Sequence, residues 1–171
     1  MRMIRTPVLH RWVRWGCAAA FAALALGCAT PPEWQKPGTP ASQIAQDMGQ
    51  PVVRSELPDG GERWLYSRQP MGQQVYHFDF DRDQRLSNVR QVLEPASFYQ
   101  LRVDVATRDE VYRFFGAPAL IEHVWSFKGD IWTYRFYENG ADRQAHVFID
   151  AQHIVRRIMF TDERRRDDDG L

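Results

Sequence analysis

Apolar residues recur along this chain with two periods, that of a helix and that of a strand. The helical period is clearest in TRDEVYRFFGAP, where Val111, Phe114 and Phe115 are spaced i, i+3 and i+4 and so share one face. Thr107 is a favoured N-cap, and Glu110 three residues later completes the pattern of a capping box. The segment predicts a short helix that packs one face against another element.

A helix stop follows, and the same arrangement occurs earlier in the chain. Gly116 stands where a helix ends in a left-handed residue, and Pro118 cannot continue the helix. The upstream segment TPASQIAQDMGQP begins with Thr39 as its predicted N-cap and ends with Gly49 and Pro51. Two short helices, each ended by a left-handed glycine, are therefore predicted.

Matched positions continue downstream of both helices. A Trp-x-Tyr pair follows each proline, as Trp64 and Tyr66 in the first half and as Trp132 and Tyr134 in the second. The partners are 67 residues apart for the glycines and 68 for the tryptophans. Because the marks keep their order and nearly keep their spacing, an internal repeat of about 68 residues is favoured over chance recurrence of short motifs.

Short runs with a period of two, separated by turn residues, predict an antiparallel meander in each half. In the first half Tyr76, Phe78 and Phe80 share one face, which predicts an aromatic, buried face and a largely wet opposite face. In the second half a turn is predicted at Lys128-Gly129. The predicted strands are Val52–Leu57, Glu62–Arg68, Gln74–Phe80, Arg85–Leu93, Ala119–Phe127, Asp130–Tyr137, Gln144–Asp150 and His153–Phe160.

These elements predict an α+β fold of two tandem repeats, at residues 39–93 and 94–162. Each repeat would have one or two short helices packed on a three- to four-stranded antiparallel sheet. The linker that opens the second repeat could form one helical turn. Residues 163–171 lack apolar side chains and are predicted to be a disordered, charged tail.

The start of the chain is typical of a secretory signal. Four arginines and no acidic residue precede an apolar run, which ends on LALGC with Cys28. This resembles the lipobox of bacterial lipoproteins, although the residues two and three before the cysteine are in swapped order. The interpretation is a signal peptide at 1–27, a lipidated Cys28 and a tether at 28–38. An ordinary cleaved signal, with Cys28 left as a free thiol, is the alternative.

Charge and cysteine content narrow the function classes. Removing residues 1–27 removes four of 22 basic residues and none of 22 acidic ones, which leaves a net charge of −4. A mildly acidic chain is a poor nucleic-acid binder. Cys17 would leave with the signal, so no internal disulfide is possible. By resemblance to other lipoproteins, Ala29 and Thr30 after the cysteine imply an outer-membrane address on the periplasmic side.

The order of motifs resembles the SmpA/OmlA (BamE-like) family of outer-membrane lipoproteins. The motifs are the lipobox, T-x-x-x-V-x-x-x-x-G-x-P, G-x-x-W-x-Y and a strand ending F-x-D. The resemblance covers residues 39 to about 161 in two copies, whereas BamE has one. It implies short helices on a three-stranded sheet, no catalytic site and an accessory role in outer-membrane protein assembly. The tandem is also similar to the β-lactamase inhibitory protein.

No catalytic or metal-binding motif is found in the sequence. The segment DFDRD has the acidic start of a calcium loop, but Gln84 and Arg90 occupy the positions of its glycine and its glutamate. His77 and His146 fall at matched strand positions, which a repeat explains more simply than a metal does. Glu138 and Asp142 flank a predicted turn. No enzyme activity, metal or cofactor is expected.

Two hypotheses from different classes remain. The first is a lipid-anchored scaffold that binds an envelope protein, such as a subunit of the barrel-assembly machinery. The second is a periplasmic inhibitor or ligand-binding module. Partner contacts are expected in loops that the core needs least, at Pro58–Gly61, at Gly72 and at Phe127–Asp130.

Overall fold

Two antiparallel four-stranded sheets make up most of the structure, which is a computed structural model that describes residues 31–163. Cys28, the signal peptide and the charged tail from residue 164 onward lie outside the described residues. A 3-10 turn at Pro32–Trp34 comes first. The following elements are α1 (Ala41–Met48), β1 (Val53–Glu56), β2 (Glu62–Ser67), β3 (Val75–Phe80), β4 (Leu86–Gln91), α2 (Pro95–Phe98), α3 (Arg108–Phe115), β5 (Leu120–Val124), β6 (Phe127–Glu138), β7 (Ala141–Asp150) and β8 (Val155–Asp162).

The expected α+β class is wrong. The chain is mostly β, with only about 17% helix, and does not have the helix-on-sheet arrangement expected from BamE-like repeats. The physical reason is the shortness of the helices: α1 and α3 have eight residues each, or about 12 Å of length at 1.5 Å per residue. Helices of this length contribute few residues beside eight strands, two of which have 10 and 12 residues.

Each sheet is a simple meander. Strand order is β1-β2-β3-β4 in sheet 1 and β5-β6-β7-β8 in sheet 2. Bulges interrupt the ladder at Asp79/Phe80 and at Phe148/Ile149, in the corresponding pairs β3-β4 and β7-β8. The two halves therefore have the same strand order and place a bulge in the same strand pair.

The short helices pack against parts of the two sheets. Ala41 and Ile44 of α1 pack on the aromatic face of sheet 1. The opposite face of sheet 1 contributes Leu65 and Val75 to a larger core, which it shares with α2, α3 and sheet 2. The expectation that this second face is wet is therefore wrong. Alternation within one strand could not reveal that α3 and sheet 2 pack against it.

Local signals at α3 are confirmed. Thr107 is the N-cap, and its side chain and that of Glu110 form the reciprocal bonds of a capping box. The predicted helical turn in the linker is α2. At α1 the N-cap is Pro40 rather than Thr39, whose hydroxyl instead donates to the carbonyl of Lys36 at 2.7 Å.

Both helix-stop glycines have positive φ. Gly49 has φ 81° and ψ −169°, and Gly116 has φ 74° and ψ −160°. The ψ values lie in the extended half of the positive-φ region, which is essentially accessible only to glycine, rather than in the left-handed helical region. The hydroxyls of Tyr66 and Tyr134 donate to the carbonyls of Gly49 and Gly116, each at 2.9 Å. The same tyrosine-to-glycine bond thus closes the helix in both halves.

The predicted turn at Lys128-Gly129 is wrong, because the chain turns at Trp125 and Ser126 and both predicted turn residues lie in β6. Gly129 pairs with Asp150 across the sheet. A Cβ built on Gly129 would lie 2.1 Å from the carbonyl oxygen of Ile149. This glycine permits close approach of two strands, which the sequence alone does not distinguish from a turn.

The described part of the expected tether, residues 31–38, packs against sheet 1. Pro32 is buried. The hydroxyl of Tyr76 donates to the carboxylate of Glu33, and this bond lowers the pKa of Glu33. At the other end of the segment, the amide of Gly38 donates to the carbonyl of Leu86 at 2.7 Å. The folded body therefore begins by residue 31, and only two residues separate it from Cys28.

Substitution of Gly49 and Gly116 can distinguish two destabilising effects of an added side chain, which are backbone strain and steric overlap. Gly49→Ala adds only backbone strain, because nothing lies within 4 Å of the added Cβ, whereas the Cβ of Gly116→Ala lies 3.1 Å from Leu65 Cδ2. We expect each variant to lose about 1–3 kcal/mol of unfolding free energy, with the larger loss at Gly116. Urea unfolding measures both, with the exposed helix variant Ser42→Ala as the control. Wild-type stability in Gly116→Ala would contradict this account.

Candidate functional site

Strand β5 is an open edge of sheet 2, and all five of its residues are exposed. Leu120, Ile121 and Val124 are 51%, 48% and 41% exposed. An edge strand presents unpaired backbone N–H and C=O groups that another chain can bind. Apolar side chains beside such groups form a surface suited to protein contact.

The turn after β5 carries the most exposed large apolar side chain in the described chain. Trp125 is 104% exposed. Its neighbours Val124 and Phe127 pair across the hairpin, and the ladder between β5 and β6 is irregular between Glu122 and Val124. We define the hairpin surface as Leu120, Ile121, Val124, Trp125 and Phe127.

The hairpin surface continues onto the outer face of sheet 2. The ring of Phe127 meets that of Phe148 edge to face, with centroids 5.3 Å apart. The guanidinium of Arg157 lies 3.9 Å from the Phe148 centroid, within the range of a cation–π contact. Packed aromatic rings therefore support the base of the hairpin, while its tip projects into solvent.

The other sheet edges are better protected. The amide of Leu86 on β4 donates to the Thr39 carbonyl, so the segment before α1 closes part of that edge. On β8, Val155 exchanges backbone bonds with Asp104 and Ala106, which close part of the corresponding edge. Strand β1 has only four residues, and Arg54 and Glu56 are among them. Short, charged edges resist pairing, which leaves β5, with three apolar residues beside Glu122 and His123, as the more apolar open edge.

The tryptophans and tyrosines expected in the repeat core do lie in the interior. Trp64 and Tyr66 are 4% and 8% exposed, and Trp132 and Tyr134 are 7% and 0% exposed. Trp64 lies in β2 between β1 and β3, and Trp132 lies in β6 between β5 and β7. The indole nitrogens of both are buried without a hydrogen-bond partner. These residues serve the core rather than a contact surface.

Two of the three segments expected to contact a partner are loops in the structure, and the third is part of a strand. Pro58–Gly61 forms the turn between β1 and β2, and Gly72 lies in the loop between β2 and β3. Residues 127–130 belong to strand β6. Sequence reasoning missed Trp125 because it assigned Ile121, Val124 and Trp125 to the interior of a longer strand. The only available signal was a run of apolar residues on both faces of that predicted strand.

A cleft of about 340 Å³ lies between sheet 1 and the second half of the chain. Its lining includes Arg63, His77, Ser97, Arg113 and Phe114. The guanidinium of Arg63 binds the carboxylate of Asp79 through two bonds of 2.6 and 2.7 Å, which raise the pKa of Arg63. The most basic lining residue on sheet 1 is therefore already neutralised by its neighbour.

His77 and His146, the matched histidines, have different environments. His77 is 1% exposed, and its Nε2 lies 2.6 Å from the carbonyl oxygen of Phe114, so Nε2 must carry the donated proton. Burial lowers the pKa of His77 to about 4. His146 bonds to the hydroxyls of Thr133 and Thr161 on the outer face of sheet 2, and burial lowers its pKa.

Within residues 31–163, no group of three or more His, Cys, Asp and Glu residues is arranged to hold a metal ion. Asp81, from the segment that resembles a calcium loop, instead accepts the backbone amides of Asp83 and Arg85 at 3.0 and 2.8 Å. Glu138 pairs with Arg143 at 3.7 Å. None of the helices in the described part of the chain is long and apolar enough to cross a bilayer.

Comparisons with known proteins add little. No protein-family model and no curated protein matches the chain. Among solved structures, it is similar to a DUF4309 family protein (YjgB) from Bacillus subtilis subsp. subtilis str. 168, with 20% sequence identity and a TM-score of 0.31. The match covers 73% of this chain and 79% of that chain. A similarity at this TM-score supports no argument about fold or function.

The buried His77 predicts a pH dependence of stability. Its pKa is about 4 in the folded chain against an ordinary value of 6.5, so between these values the unfolded chain binds the proton and the folded chain does not. The free energy of unfolding should therefore fall as pH drops from about 6.5 to about 4, by at most about 3 kcal/mol. In His77→Gln, urea unfolding across this range should show a smaller pH slope. An unchanged slope would contradict the assignment.

Proposed function

We propose that this protein is a non-catalytic, lipid-anchored protein of the cell envelope that acts by binding a partner protein through the hairpin surface. The observation that carries the proposal is Trp125, which is fully exposed beside an apolar open edge strand. The lipobox-like sequence that ends in Cys28 supports the anchor. The partner class is an envelope protein, with barrel-assembly subunits as the first candidates to test.

The energetics favour protein contact. A Trp side chain buries about 150–250 Å² when covered, and at about 25 cal/mol per Å² this is a large apolar gain that the free chain leaves unused. Tryptophan is also among the residues that most often dominate interface energies. Strand β5 adds backbone donors and acceptors beside this side chain, so a partner could pair with the edge and cover Trp125 together.

The position of the exposed surface within the fold gives further support. Trp125 contributes nothing to the core clusters, which are formed by other residues of the sheets, the helices and the linker between the halves. The exposed position of Trp125 is therefore not explained by folding stability. Its removal should spare the fold, so binding and folding can be tested separately.

The anchor predicts a change of compartment. In Cys28→Ser, we expect the protein to leave the membrane fraction and to appear in the soluble periplasmic fraction, because acylation needs the cysteine sulfur and two or more acyl chains give stable attachment. Fractionation followed by intact mass measurement tests this. A wild-type protein found soluble and with a free thiol at Cys28 would contradict the anchor.

The hairpin surface predicts where crosslinks form. A photo-crosslinking residue at position 125 of the full chain, expressed in cells, should capture an envelope protein. The matched control is the same residue at Tyr99, which is 72% exposed but lies outside the hairpin surface. Trp125→Ser should weaken binding of the purified partner by about 30-fold or more, since a contact that dominates an interface is worth at least about 2 kcal/mol.

The identity of the captured protein separates the hypotheses. Barrel-assembly subunits captured at position 125 and not at position 99 would support the scaffold. A single periplasmic enzyme, with loss of its activity on binding, would instead support the inhibitor. Equal crosslinking from both positions would contradict a role for the hairpin surface.

A further inference from the structure

We infer that the end of the molecule opposite the hairpin surface lies against the lipid bilayer, so that strand β6 holds Trp125 away from the membrane. This membrane-facing end consists of Trp34, Met71 and Tyr137. The inference rests on the proposed anchor at Cys28. It adds a second contact surface and an orientation to the proposed function.

The chain enters the folded body at this end. Pro31 and Pro32 line a small cleft together with Tyr66, Arg68 and Tyr76, at the end of sheet 1 from which the β2–β3 loop projects. Two residues lie between Cys28 and Pro31, and an extended chain spans at most about 11 Å over these three Cα–Cα steps. An acylated Cys28 would therefore hold this end of the body close to the bilayer surface.

The exposed side chains at this end suit a lipid surface. Met71, Trp34 and Tyr137 are 86%, 71% and 60% exposed. Tryptophan and tyrosine favour the interface between headgroups and acyl chains, where an aromatic ring and a polar group are both accommodated. Arg68, which is exposed beside the point of chain entry, can pair with a lipid phosphate.

Hydrogen bonds join the two halves at this end. Arg135 donates from Nη1 to the carbonyls of Pro70 and Met71, at 3.1 and 3.2 Å. The side chain of Gln69 returns a bond to the carbonyl of Arg135 at 2.7 Å. The β2–β3 loop and the end of β6 are thus tied together and would meet the bilayer as one surface.

The carboxylates near this end are ion-paired or hydrogen-bonded to side chains of the protein. Glu163 binds Arg135 at 2.7 Å, and Glu138 pairs with Arg143 at 3.7 Å. Asp142 accepts a bond from Gln73 at 3.0 Å. Arg135 and Arg143 therefore offset part of the negative charge at this end, which reduces repulsion from anionic lipid headgroups.

Strand β6 sets the distance between the two surfaces. Tyr137 lies ten positions after Phe127 on this continuous strand, which is about 33 Å at about 3.3 Å per residue. The strand pairs with β7 from Gly129 to Glu138, so it is supported along nearly its whole length. The hairpin surface is thereby presented to partners in the aqueous space, well clear of the headgroups.

Nitroxide labels can test this orientation. We would introduce Met71→Cys, Tyr137→Cys and Ser126→Cys singly into the full chain, and purify each processed protein into nanodiscs of phosphatidylethanolamine and phosphatidylglycerol. With Cys28 acylated, only the introduced thiol takes the label. Collision rates with oxygen and with a water-soluble nickel complex then report immersion in lipid.

Labels at positions 71 and 137 should favour oxygen over nickel, whereas the label at 126 should show the opposite preference. The Cys28→Ser background, without nanodiscs, is the matched control, and its labels should all favour nickel. If intact mass shows no acyl chains, the anchor and the orientation fall together. If the protein is acylated but all three labels contact nickel equally, only the orientation is overturned.

Discussion

Helix α3 is the element on which the rest of the structure depends, because both sheets use it as part of their core. Phe115 stacks on Phe98 at 4.2 Å and meets Tyr134 of sheet 2 at 5.5 Å. On the other side, the rings of Phe114 and His77 have centroids 4.8 Å apart, and the carbonyl of Phe114 accepts a hydrogen bond from His77 Nε2. An eight-residue helix is marginal by itself, so α3 is stable because two of its sides pack against different sheets, while Tyr112 and Arg113 stay exposed.

This shared helix explains what could be predicted from the sequence. The capping box at Thr107, the glycine stops and most strands are local signals, because each depends on residues within a few positions. The second buried face of sheet 1 depends on α3, which follows β1 by more than fifty residues. Because His77 and Ser67 are polar, the sequence indicates that this face is exposed to solvent. The prediction of a turn at Gly129 fails for a related reason. A glycine is needed there because the backbone of Ile149 approaches closely across the sheet.

The two halves share a core plan and differ at their surfaces. The tyrosine-to-glycine bond, the strand order and the buried tryptophans occur in both. At the first edge, however, β1 is short and charged, whereas β5 is apolar and leads into Trp125. The outer face of α1 is likewise polar, with Ser42, Gln43 and Gln46 exposed. The first edge of sheet 1 is therefore short and charged, whereas the first edge of sheet 2 exposes apolar side chains beside unpaired backbone groups.

The residues that stabilise the core and the residue proposed to bind a partner lie in different parts of the structure. Every large aromatic side chain that closes the core lies between a sheet and a helix, where a substitution leaves a cavity or an unpaired group. Trp125 lies beyond these layers on a two-residue turn, and the paired length of β6 and β7 supports it from behind. The ladder fixes the backbone of the strand that leads from this turn, so a partner that binds there would mainly have to order side chains such as that of Trp125. The same ladder that orders sheet 2 therefore positions the backbone at the base of the surface that the proposed partner would bind.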